Sequence, residues 1–285
     1  MPNAPSSFAA SAPRSEESLR RHFDVEKELA ARLLASSRSE RMALLGELYG
    51  ELFERVPDHP RLVRARDGDA DLLADIHVRS RLRLLTPYAD KTATLVEIAP
   101  GDCRAAYAAC EHFGNVIGAD ISDQRAKSLI DSEPDNFQML TFDGFSVPVA
   151  SDSADVVFSY QMVEHLHPDD IANHFQEVAR ILKPGGCYVL DTPNRLTGPH
   201  DISRHFGNDL VCFHFREWTH HELLKSMREW GFGEGRAFRL GRELGRLETN
   251  LVCCLERTMA ILPAGLRRRY LERLLPAVTL ACRAR

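Results

Sequence analysis

The stretch LVEIAPGDCRAAYAAC, Leu95 to Cys110, changes character in the middle. A short apolar run ends near the acidic Glu97, the chain breaks at Pro100-Gly101, and a helix-forming sequence follows. A strand, a tight turn and a helix in this order predict the start of a parallel βαβ unit. Gly101 lets the backbone approach a bound molecule, and the free N–H groups of the following helix favour a carboxylate or a phosphate. This turn is therefore the first candidate binding site.

Strands and helices alternate from Thr94 to Arg239. Segments of helical periodicity separate five short apolar runs, which we predict to be strands: TLVEIAP, NVIGADI, FQMLTFD, ADVVFSYQ and GCYVLDTPN. Continuously apolar strands that alternate with helices indicate a parallel sheet covered on both faces. Two later segments, GRAFRLG and AVTLACRAR, complete a predicted α/β fold with a seven-stranded sheet.

The composition excludes several classes of protein. A chain of 285 residues with 44% hydrophobic and 27% charged residues has an ordinary globular composition. The net charge of −5 argues against a protein built to grip nucleic acid, which needs a basic face. No run approaches the roughly 18 apolar residues of a membrane span, and the N-terminus does not resemble a secretory signal. Scattered cysteines without metal-site spacing predict reduced thiols, so the cytoplasm is the expected location.

Three regions follow from these patterns. We predict a disordered tail over residues 1–16, a helical extension over 17–93 that forms a lid or a dimer face, and an α/β domain over 94–285. A helical insertion over about 246–276 precedes the last strand and carries the basic run Arg267 to Arg269. Such a segment suits a peripheral membrane contact or an anionic partner, and a surface helix pair that packs against the core is the alternative.

An acid at the end of the second predicted strand points to a nucleoside. Asp120 follows Gly101 by nineteen positions, a separation typical of an acid that binds ribose hydroxyls. Dinucleotide enzymes carry G-x-G-x-x-G before such an acid, whereas this chain offers A-x-G-x-x-R and places Arg104 at the last position. A cofactor without phosphate and with a free amino acid end therefore fits better than a dinucleotide.

From about Thr94 to Phe232 the chain resembles class I S-adenosylmethionine-dependent methyltransferases, in the group that contains small-molecule methyltransferases. VEIAPGDC is similar to the acid-x-G-x-G-x-G loop of that family, and VIGADIS is similar to its second-strand motif. FDGFSVPVASDSADVVFSYQMVEHL resembles the run from the adenine loop to the fourth strand, and LKPGGCYVLDTPN resembles the turn into the fifth. The resemblance implies a Rossmann-like, mostly parallel sheet with an antiparallel last strand.

The resemblance also implies S-adenosyl-L-methionine as the cofactor and S-adenosyl-L-homocysteine as the product. The implied cofactor-binding residues lie at the ends of the first four strands: Glu97, Ala99, Gly101, Asp120, Ile121, Phe142, Asp143, Gly144, Tyr160 and Gln161. Within this set Glu97 and Gly101 are expected at the methionine end, Asp120 at the ribose and Asp143 at the adenine amino group. Ala99 and Cys103 depart from the family, which has glycine at both positions.

Histidine is the natural proton acceptor near neutral pH for a hydroxyl acceptor. We rank His165, which follows the fourth strand, before His205 and His200, which lie on the loop after the fifth. His220 and His221 border a later helix and are expected to be solvated. The EHLH run could suggest a metal site, but alternation along an extended chain would separate its acid from its histidines, so no metal is expected.

We therefore expect methyl transfer from S-adenosylmethionine to a small-molecule acceptor, at oxygen, with nitrogen or carbon still open. A catalytically silent cofactor-binding or scaffold protein is one alternative, since the loop lacks two glycines. A nucleic-acid methyltransferase is another, although the chain lacks the N/D-P-P-Y/F tetrapeptide of that class. A dehydrogenase is the third. No nucleic acid partner is expected, and the number of subunits is open.

Overall fold

The computed structural model describes residues 14–66, 70–239 and 241–285 of the chain. Eight strands form its central sheet: β1 (Thr94–Ile98), β2 (Asn115–Asp120), β3 (Phe137–Thr141), β4 (Ala154–Tyr160), β5 (Leu182–Pro193), β6 (Phe232–Arg239), β7 (Arg242–Glu243) and β8 (Ala277–Ala284). Their order across the sheet is β3-β2-β1-β4-β5-β8-β6-β7. The carboxyl ends of β1, β2 and β4 therefore lie side by side.

The direction of the strands confirms the predicted sheet. The strands β3, β2, β1, β4 and β5 pair in parallel, and β8 runs antiparallel between β5 and β6. The predicted sheet had seven strands, and the eighth, β7, adds only two residues that pair with the end of β6. Such a mostly parallel, open sheet places its ligand site outside the carboxyl ends of the strands.

Ten α-helices surround the sheet: α1 (Glu16–Leu34), α2 (Arg38–Arg55), α3 (Pro60–Arg66), α4 (Ala70–Leu85), α5 (Arg104–Ala109), α6 (Lys127–Ile130), α7 (Ile171–Ile181), α8 (His220–Glu229), α9 (Arg246–Met259) and α10 (Ala264–Leu274) in the described residues. On one face of the sheet α7 and α8 contribute Phe175 and Leu223 to the core. On the other face α5 contributes Ala106, so both faces are covered.

The N-terminal helices α1 and α2 form a third apolar cluster, which includes Leu29, Leu48 and Leu52. The same cluster contains Phe213, which lies on the loop after β5. Arg41 of α2 is also bound to Asp170, the residue before α7, through its Nε and Nη2 atoms at 2.7 and 3.0 Å. These helices are therefore docked against loops at the carboxyl edge of the sheet.

Local sequence explains where several helices begin and end. A capping box of Ser37 and Glu40 starts α2. The predicted helix in SDQRAKSLIDS is short, because only Lys127–Ile130 is helical. Most of the predicted tail, residues 1–13, lies outside the described residues, as do residues 67–69 between α3 and α4.

All seven cysteines carry free thiols, as the scattered spacing predicts. Over the described ranges, no helix combines the length and the apolar character that crossing a bilayer requires.

Candidate functional site

The turn after β1 holds three alternating residues in the left-handed region. Ala99 has φ 56°, Gly101 has φ 62° and Cys103 has φ 62°. This region costs a residue with a side chain about 1–2 kcal/mol, whereas glycine avoids the cost. Ala99 and Cys103 thus keep the backbone of a glycine loop despite their side chains. At Gly101 an added Cβ would meet no atom within 4 Å, so the loop is open at this point.

Glu97 is a buried carboxylate at the end of β1, with 1% of its surface exposed. Arg81 of α4 places its Nη1 atom 3.6 Å from Glu97 Oε1. Neither carboxylate oxygen accepts a hydrogen bond from the described residues. Burial raises the pKa of Glu97 to about 7, and the Arg81 charge opposes this effect. Because a buried polar group without a partner is costly, the site suits a ligand that brings N–H groups.

Asp120 ends β2 and is almost fully buried. Its Oδ1 atom accepts a hydrogen bond from the N–H of Ile121 at 2.7 Å, and its Oδ2 atom accepts a longer one from Gly101 at 3.4 Å. Burial raises the pKa of Asp120, and these backbone donors partly oppose the shift. The side chain therefore joins the turn after β1 to the end of β2.

Asp143 and Gly144 follow β3 on an open loop. Asp143 Oδ1 accepts hydrogen bonds from the N–H groups of Phe145 and Ser146, each at 2.8 Å. These two donors lower the pKa of the exposed Asp143 carboxyl, which stays ionised and keeps Oδ2 for another donor. Phe142, just before it, donates its N–H to the carbonyl oxygen of Asp120 at 3.0 Å.

A residue of the N-terminal extension closes over this loop. Gly144 has φ 84°, and a Cβ built on it would lie 3.2 Å from Leu45 Cδ1 and 3.6 Å from Ile121 Cγ2. Leu45 belongs to α2, so α2 reaches the position that the resemblance gives to adenine. The narrow space between Leu45 and Ile121 explains why glycine occupies position 144.

Tyr160 and Gln161 stand at the end of β4. The Arg81 guanidinium lies 4.9 Å from the centre of the Tyr160 ring, so Arg81 connects Tyr160 with Glu97. Gln161 has φ 52° and donates its backbone N–H and its Nε2 to Asp191, at 2.8 and 2.7 Å. Its side chain is therefore held toward β5 by Asp191.

His165 lies on a short 3-10 helix, Val163–His165, directly after β4. Its Nδ1 atom is 3.0 Å from the carbonyl oxygen of Phe213. Because a carbonyl oxygen only accepts, Nδ1 carries the proton and Nε2 keeps its lone pair. Burial and the neighbouring His214 lower the pKa of His165, so its imidazole is neutral at pH 7.

Glu164 and His214 accompany His165. Glu164 is fully buried, and its Oε2 atom accepts a hydrogen bond from Thr192 Oγ1 at 2.9 Å, while Oε1 has no partner among the described residues. The ring of His214 packs edge-on against the ring of His165 at 4.8 Å. The segment is a 3-10 turn rather than an extended chain, so the expected separation of Glu164 from His165 is wrong.

The other two ranked histidines have different surroundings. His200 Nε2 lies 3.2 Å from the carbonyl oxygen of Asn194 and 2.8 Å from Thr197 Oγ1. His205 is exposed at the end of the short helix Ile202–His205. Within the described contacts, neither residue touches the residues predicted to bind the cofactor. Of the three, His165 lies closest in sequence to Tyr160 and Gln161 at the end of β4.

One further expectation about histidines is wrong. His220 is 1% exposed rather than solvated, and its Nδ1 atom lies 2.7 Å from Glu256 Oε1 on α9. This contact joins α9, the first helix of the insertion, to the start of α8. His221, its neighbour, is exposed as expected.

The structure thus gathers most predicted cofactor residues at one edge and adds residues that the sequence did not indicate. Arg81 and Leu45 lie on helices that precede the alternating strands and helices. No motif surrounds either residue, so the sequence did not indicate that they would reach this site. His214 had a signal, since it belongs to the His-rich loop, but nothing in its spacing distinguished it from His200 and His205.

Comparison with known proteins identifies the domain that carries this site. Residues 96–190 match the family model described as methyltransferase domain. Residues 96–190 of this chain form a methyltransferase domain. A Mycolicibacterium smegmatis protein assigned to the S-adenosylmethionine-dependent methyltransferases is 37% identical over 86 residues, which cover 30% of this chain and 31% of that protein. A Mycobacterium tuberculosis protein of the same assignment is 31% identical over 117 residues, or 41% of this chain and 40% of that one.

The chain thus matches less than half the length of these relatives. The fold is also found in solved structures at lower identity. A methyltransferase from a Haloferax volcanii complex with the activator Trm112 superposes with a TM-score of 0.55 and 19% identity, and covers 78% of this chain and 95% of its own. Phosphoethanolamine N-methyltransferase 2 of Haemonchus contortus, with S-adenosylhomocysteine bound, gives a TM-score of 0.52 and 15% identity, and covers 73% and 52%.

The residues present in the methyltransferase domain fit its cofactor. Glu97 has two buried oxygens without hydrogen-bond donors among the described residues, at the position that the resemblance gives to the amino acid end. The loop beside it is open at Gly101, where a ligand approaches the backbone without a side chain in the way. An unsatisfied buried acid and an adjacent open loop are the features that a cationic amino acid group would complete.

Proposed function

We propose that this protein transfers the methyl group of S-adenosylmethionine to a hydroxyl oxygen of a small-molecule acceptor. The observation that carries the proposal is the buried, hydrogen-bond-deficient Glu97 beside the open turn at Gly101. An exposed acid after a strand would need no ligand, whereas this carboxylate does. The methyltransferase domain supports the cofactor, and the acceptor and its oxygen are our inference.

Each end of the cofactor has its residues in this proposal. Glu97 receives the ammonium group of the methionine part, directly or through water. Asp120 binds the ribose hydroxyls with oxygens that its weak 3.4 Å bond to Gly101 leaves available. Asp143 accepts from the adenine amino group through Oδ2, and Ile121 covers the adenine face. Ala99, Phe142 and Gly144 form the backbone of the two loops.

The methyl end then lies near Tyr160 and Gln161, at the tip of β4. When bound, the cofactor supplies an electrophilic methyl group on a sulfonium whose leaving group is neutral. The protein aligns the acceptor and excludes water. A hydroxyl also has to lose a proton, and His165 offers a lone pair on Nε2 next to β4. A neutral amine attacks without first losing a proton, whereas a hydroxyl is a weak nucleophile until a base takes its proton, and we therefore propose oxygen.

We also propose that residues 17–93 act as a lid rather than as a separate unit. Three contacts support this view: Leu45 lies over Gly144, Arg81 reaches Glu97, and Arg41 is anchored to Asp170. Residues 94–285 then form the methyltransferase domain, with α9 and α10 as its insertion. Opening of the helices would admit cofactor and acceptor, and closure would remove water from the site.

The insertion is the part that would meet an anionic membrane surface. On α9, Leu247 and Leu251 are 79% and 68% exposed and stand one helical turn apart. On α10, Arg269 and Arg273 line a depression of about 400 Å³ together with Tyr270 and Leu274. Exposed leucines on α9 and arginines on α10 of the same insertion suit a surface that has both acyl chains and phosphates. Sedimentation with phosphatidylglycerol vesicles, but not with phosphatidylcholine vesicles, is the expected result, and equal sedimentation would contradict it.

Two experiments test the proposed reaction. Calorimetry with S-adenosylhomocysteine should detect binding, and calorimetry with NAD should not, because the loop lacks the glycines of a dinucleotide site. Incubation with labelled methyl donor and fractionated small metabolites should then transfer label in an alkali-stable ether or a labile ester. Transfer that disappears after nuclease treatment would favour a nucleic-acid acceptor, and binding without any transfer would favour a silent scaffold.

A further inference from the structure

Three side chains converge beside the tip of β4. One ligand atom from each of Glu164, His165 and His214 lies within 4.8 Å of the others. Glu164 Oε1 and His165 Nε2 are 4.0 Å apart. Metal bonds of about 2.0–2.2 Å would bring such atoms to roughly 3–3.5 Å from each other, so shifts of less than about an ångström complete a site.

Each of the three side chains is held by a second partner that leaves one ligand atom free. His165 donates its Nδ1–H to the Phe213 carbonyl oxygen at 3.0 Å, and His214 donates its Nδ1–H to Glu217 Oε1 at 2.9 Å. His165 therefore keeps the lone pair of Nε2, and His214 offers its Nε2 lone pair when the ring is neutral. A hydrogen bond from the other ring nitrogen to a carbonyl or a carboxylate is the usual support of a metal-binding histidine.

The carboxylate has the same arrangement. Thr192 Oγ1 donates to Glu164 Oε2 at 2.9 Å, and Glu164 Oε1 is buried without a partner among the described residues. A fully buried carboxylate oxygen that lacks a donor is costly unless a cation or a donor occupies the space in front of it. This Oε1 atom is the carboxylate oxygen that lies 4.0 Å from His165 Nε2, so the two atoms border the same space.

The described residues contain two other clusters of side chains that could bind a metal, one of His22, Glu26 and His59 and one of Glu26, Asp201 and Cys212. Their hydrogen bonds differ from those of the Glu164 cluster. In the first, His22 Nε2 is bound directly to Glu26 Oε2 at 2.7 Å, so these two satisfy each other. In the second, Glu26 Oε1 accepts the N–H of Phe213 at 3.1 Å. The Glu164 group is the one in which a buried ligand oxygen lacks a hydrogen bond.

We propose that Glu164, His165 and His214 bind one divalent first-row transition ion. Two imidazole nitrogens and one carboxylate oxygen suit Zn²⁺, Fe²⁺ or Co²⁺, whereas Mg²⁺ and Ca²⁺ prefer sites made of oxygen. Three protein ligands leave coordination positions open for water or for an acceptor. This assignment replaces the sequence expectation that no metal binds.

The role of the ion rests on the proposed function. A bound ion would hold the acceptor hydroxyl through oxygen and lower its pKa, so that the proton would leave more readily to a neighbouring water. Bond formation from this oxygen to the methyl carbon would then accompany cleavage of the carbon–sulfur bond, whose electron pair would stay on sulfur. In the metal-bound enzyme His165 would be a ligand and no longer a proton acceptor. The ion would instead help the acceptor hydroxyl to lose its proton by lowering the pKa of that hydroxyl.

Metal binding is tested first without catalysis. The protein is freed of metal with a chelator and titrated with Zn²⁺, Co²⁺ or Mg²⁺ by calorimetry, and Co²⁺ is also followed by its visible absorption. One Zn²⁺ or Co²⁺ per chain should bind, with an affinity at least tenfold higher than that of Mg²⁺. Glu164→Gln, His165→Gln and His214→Gln should each weaken Zn²⁺ binding at least tenfold, and the exposed His221→Gln should not.

The role of Glu217 in orienting His214 is tested by Glu217→Gln. This variant keeps the three proposed metal ligands and should weaken Zn²⁺ binding by about 10- to 100-fold. Binding of S-adenosylhomocysteine, measured on every variant, reports whether the fold is intact and keeps this test separate from that of the proposed function. Unchanged Zn²⁺ affinity in folded Glu164→Gln and His214→Gln, or equal loss in His221→Gln, would overturn the site. Failure of cofactor binding with metal binding retained would overturn the proposed function alone.

Discussion

Arg81 reaches the buried Glu97 carboxylate at 3.6 Å and, with the same guanidinium, lies 4.9 Å from the centre of the Tyr160 ring. One residue of the helical extension thus contacts the ends of two central strands, β1 and β4. The N-terminal helices are therefore part of the site rather than an addition behind it. Removing Arg81 would leave Glu97 with neither a counter-charge nor a hydrogen bond.

Glu97 should make cofactor affinity depend on pH. Its pKa is raised to about 7, so the carboxyl is increasingly ionised as the pH rises from 6 to 8. An ionised Glu97 attracts the ammonium group, and we expect the affinity for S-adenosylhomocysteine to increase over this range. Calorimetry at several pH values measures it. Glu97→Gln should bind more weakly and flatten the profile, and a slope that persists in this variant would contradict the assignment.

Glu97 should also make the stability of the cofactor-free protein depend on pH. Stability should fall as the pH rises, whereas cofactor affinity should increase. A folded-state pKa above the unfolded value of about 4.3 means that the native state holds more protons between roughly pH 4.5 and 7. The free energy of unfolding of the cofactor-free protein should therefore contain a part, up to about 3 kcal/mol, that is lost as the pH rises through this window. Glu97→Gln lacks that part, so urea unfolding at pH 5 and pH 8 should differ less in the variant.

Asp120 should contribute strongly to cofactor affinity. Asp120→Ala removes an acceptor for the ribose hydroxyls, and hydrogen bonds to charged groups contribute about 1.5–3 kcal/mol each. We expect S-adenosylhomocysteine to bind about 10- to 100-fold more weakly. Asp123→Ala, three residues on and paired with Arg125, is the matched control and should keep the affinity. Equal affinities for the protein and its Asp120→Ala variant would refute the ribose role.

Ala99 should be replaceable by glycine with a gain in stability. Because Ala99 has φ 56°, glycine relieves backbone strain and should raise the free energy of unfolding by about 1 kcal/mol. The same change at Ala108, inside α5, should lower it by about 1 kcal/mol, since glycine is unfavourable in a helix. Thermal or denaturant unfolding measures both. A loss of stability in Ala99→Gly would show that the Ala99 methyl group packs usefully.

Arg41 should hold the N-terminal helices in place. Its pair with Asp170 is 5% and 12% exposed, and removing one partner of a buried pair costs about 3–5 kcal/mol. Arg41→Met should therefore destabilise the protein and expose the α2 helix to limited proteolysis. Arg32→Met, which breaks an exposed pair with Glu51, should cost less than about 1 kcal/mol. Similar losses in the two variants would argue against Arg41 as an anchor.

The sheet could be predicted from the sequence because each strand carries its own signal. Apolar runs such as Leu95 to Ile98 are buried on both faces, and the Gly101 and Asp120 positions fix where two of them end. The small β7 could not be predicted, since two residues carry no periodicity, and the helix α6 was predicted to be longer than its four residues. The burial of His220 was also missed, because its partner Glu256 lies on a helix 36 residues away.

The positions of Glu97, Asp120 and Asp143 at the carboxyl edge of the sheet could be predicted, because all three belong to the alternating part of the chain. Their cofactor-binding roles stay predictions. Leu45 lies on α2, which packs against Phe213, and Arg81 lies on α4, which packs through Leu82 and Leu85 against the core on the α5 face of the sheet. The sequence did not predict Glu164 as a metal ligand, because an extended chain would place it opposite His165. The segment is a 3-10 turn, which brings the two side chains together.

The location of β8 constrains the order in which the chain is completed. This strand lies between β5 and β6, so β6 has no neighbour toward the centre of the sheet until Ala277–Ala284 has left the ribosome. Throughout synthesis of α9 and α10, both β5 and β6 present unpaired edges, which are sites for aggregation. The exposed leucines of α9 emerge during that interval, and cellular production of this protein should benefit from chaperones that cover nascent sheet edges.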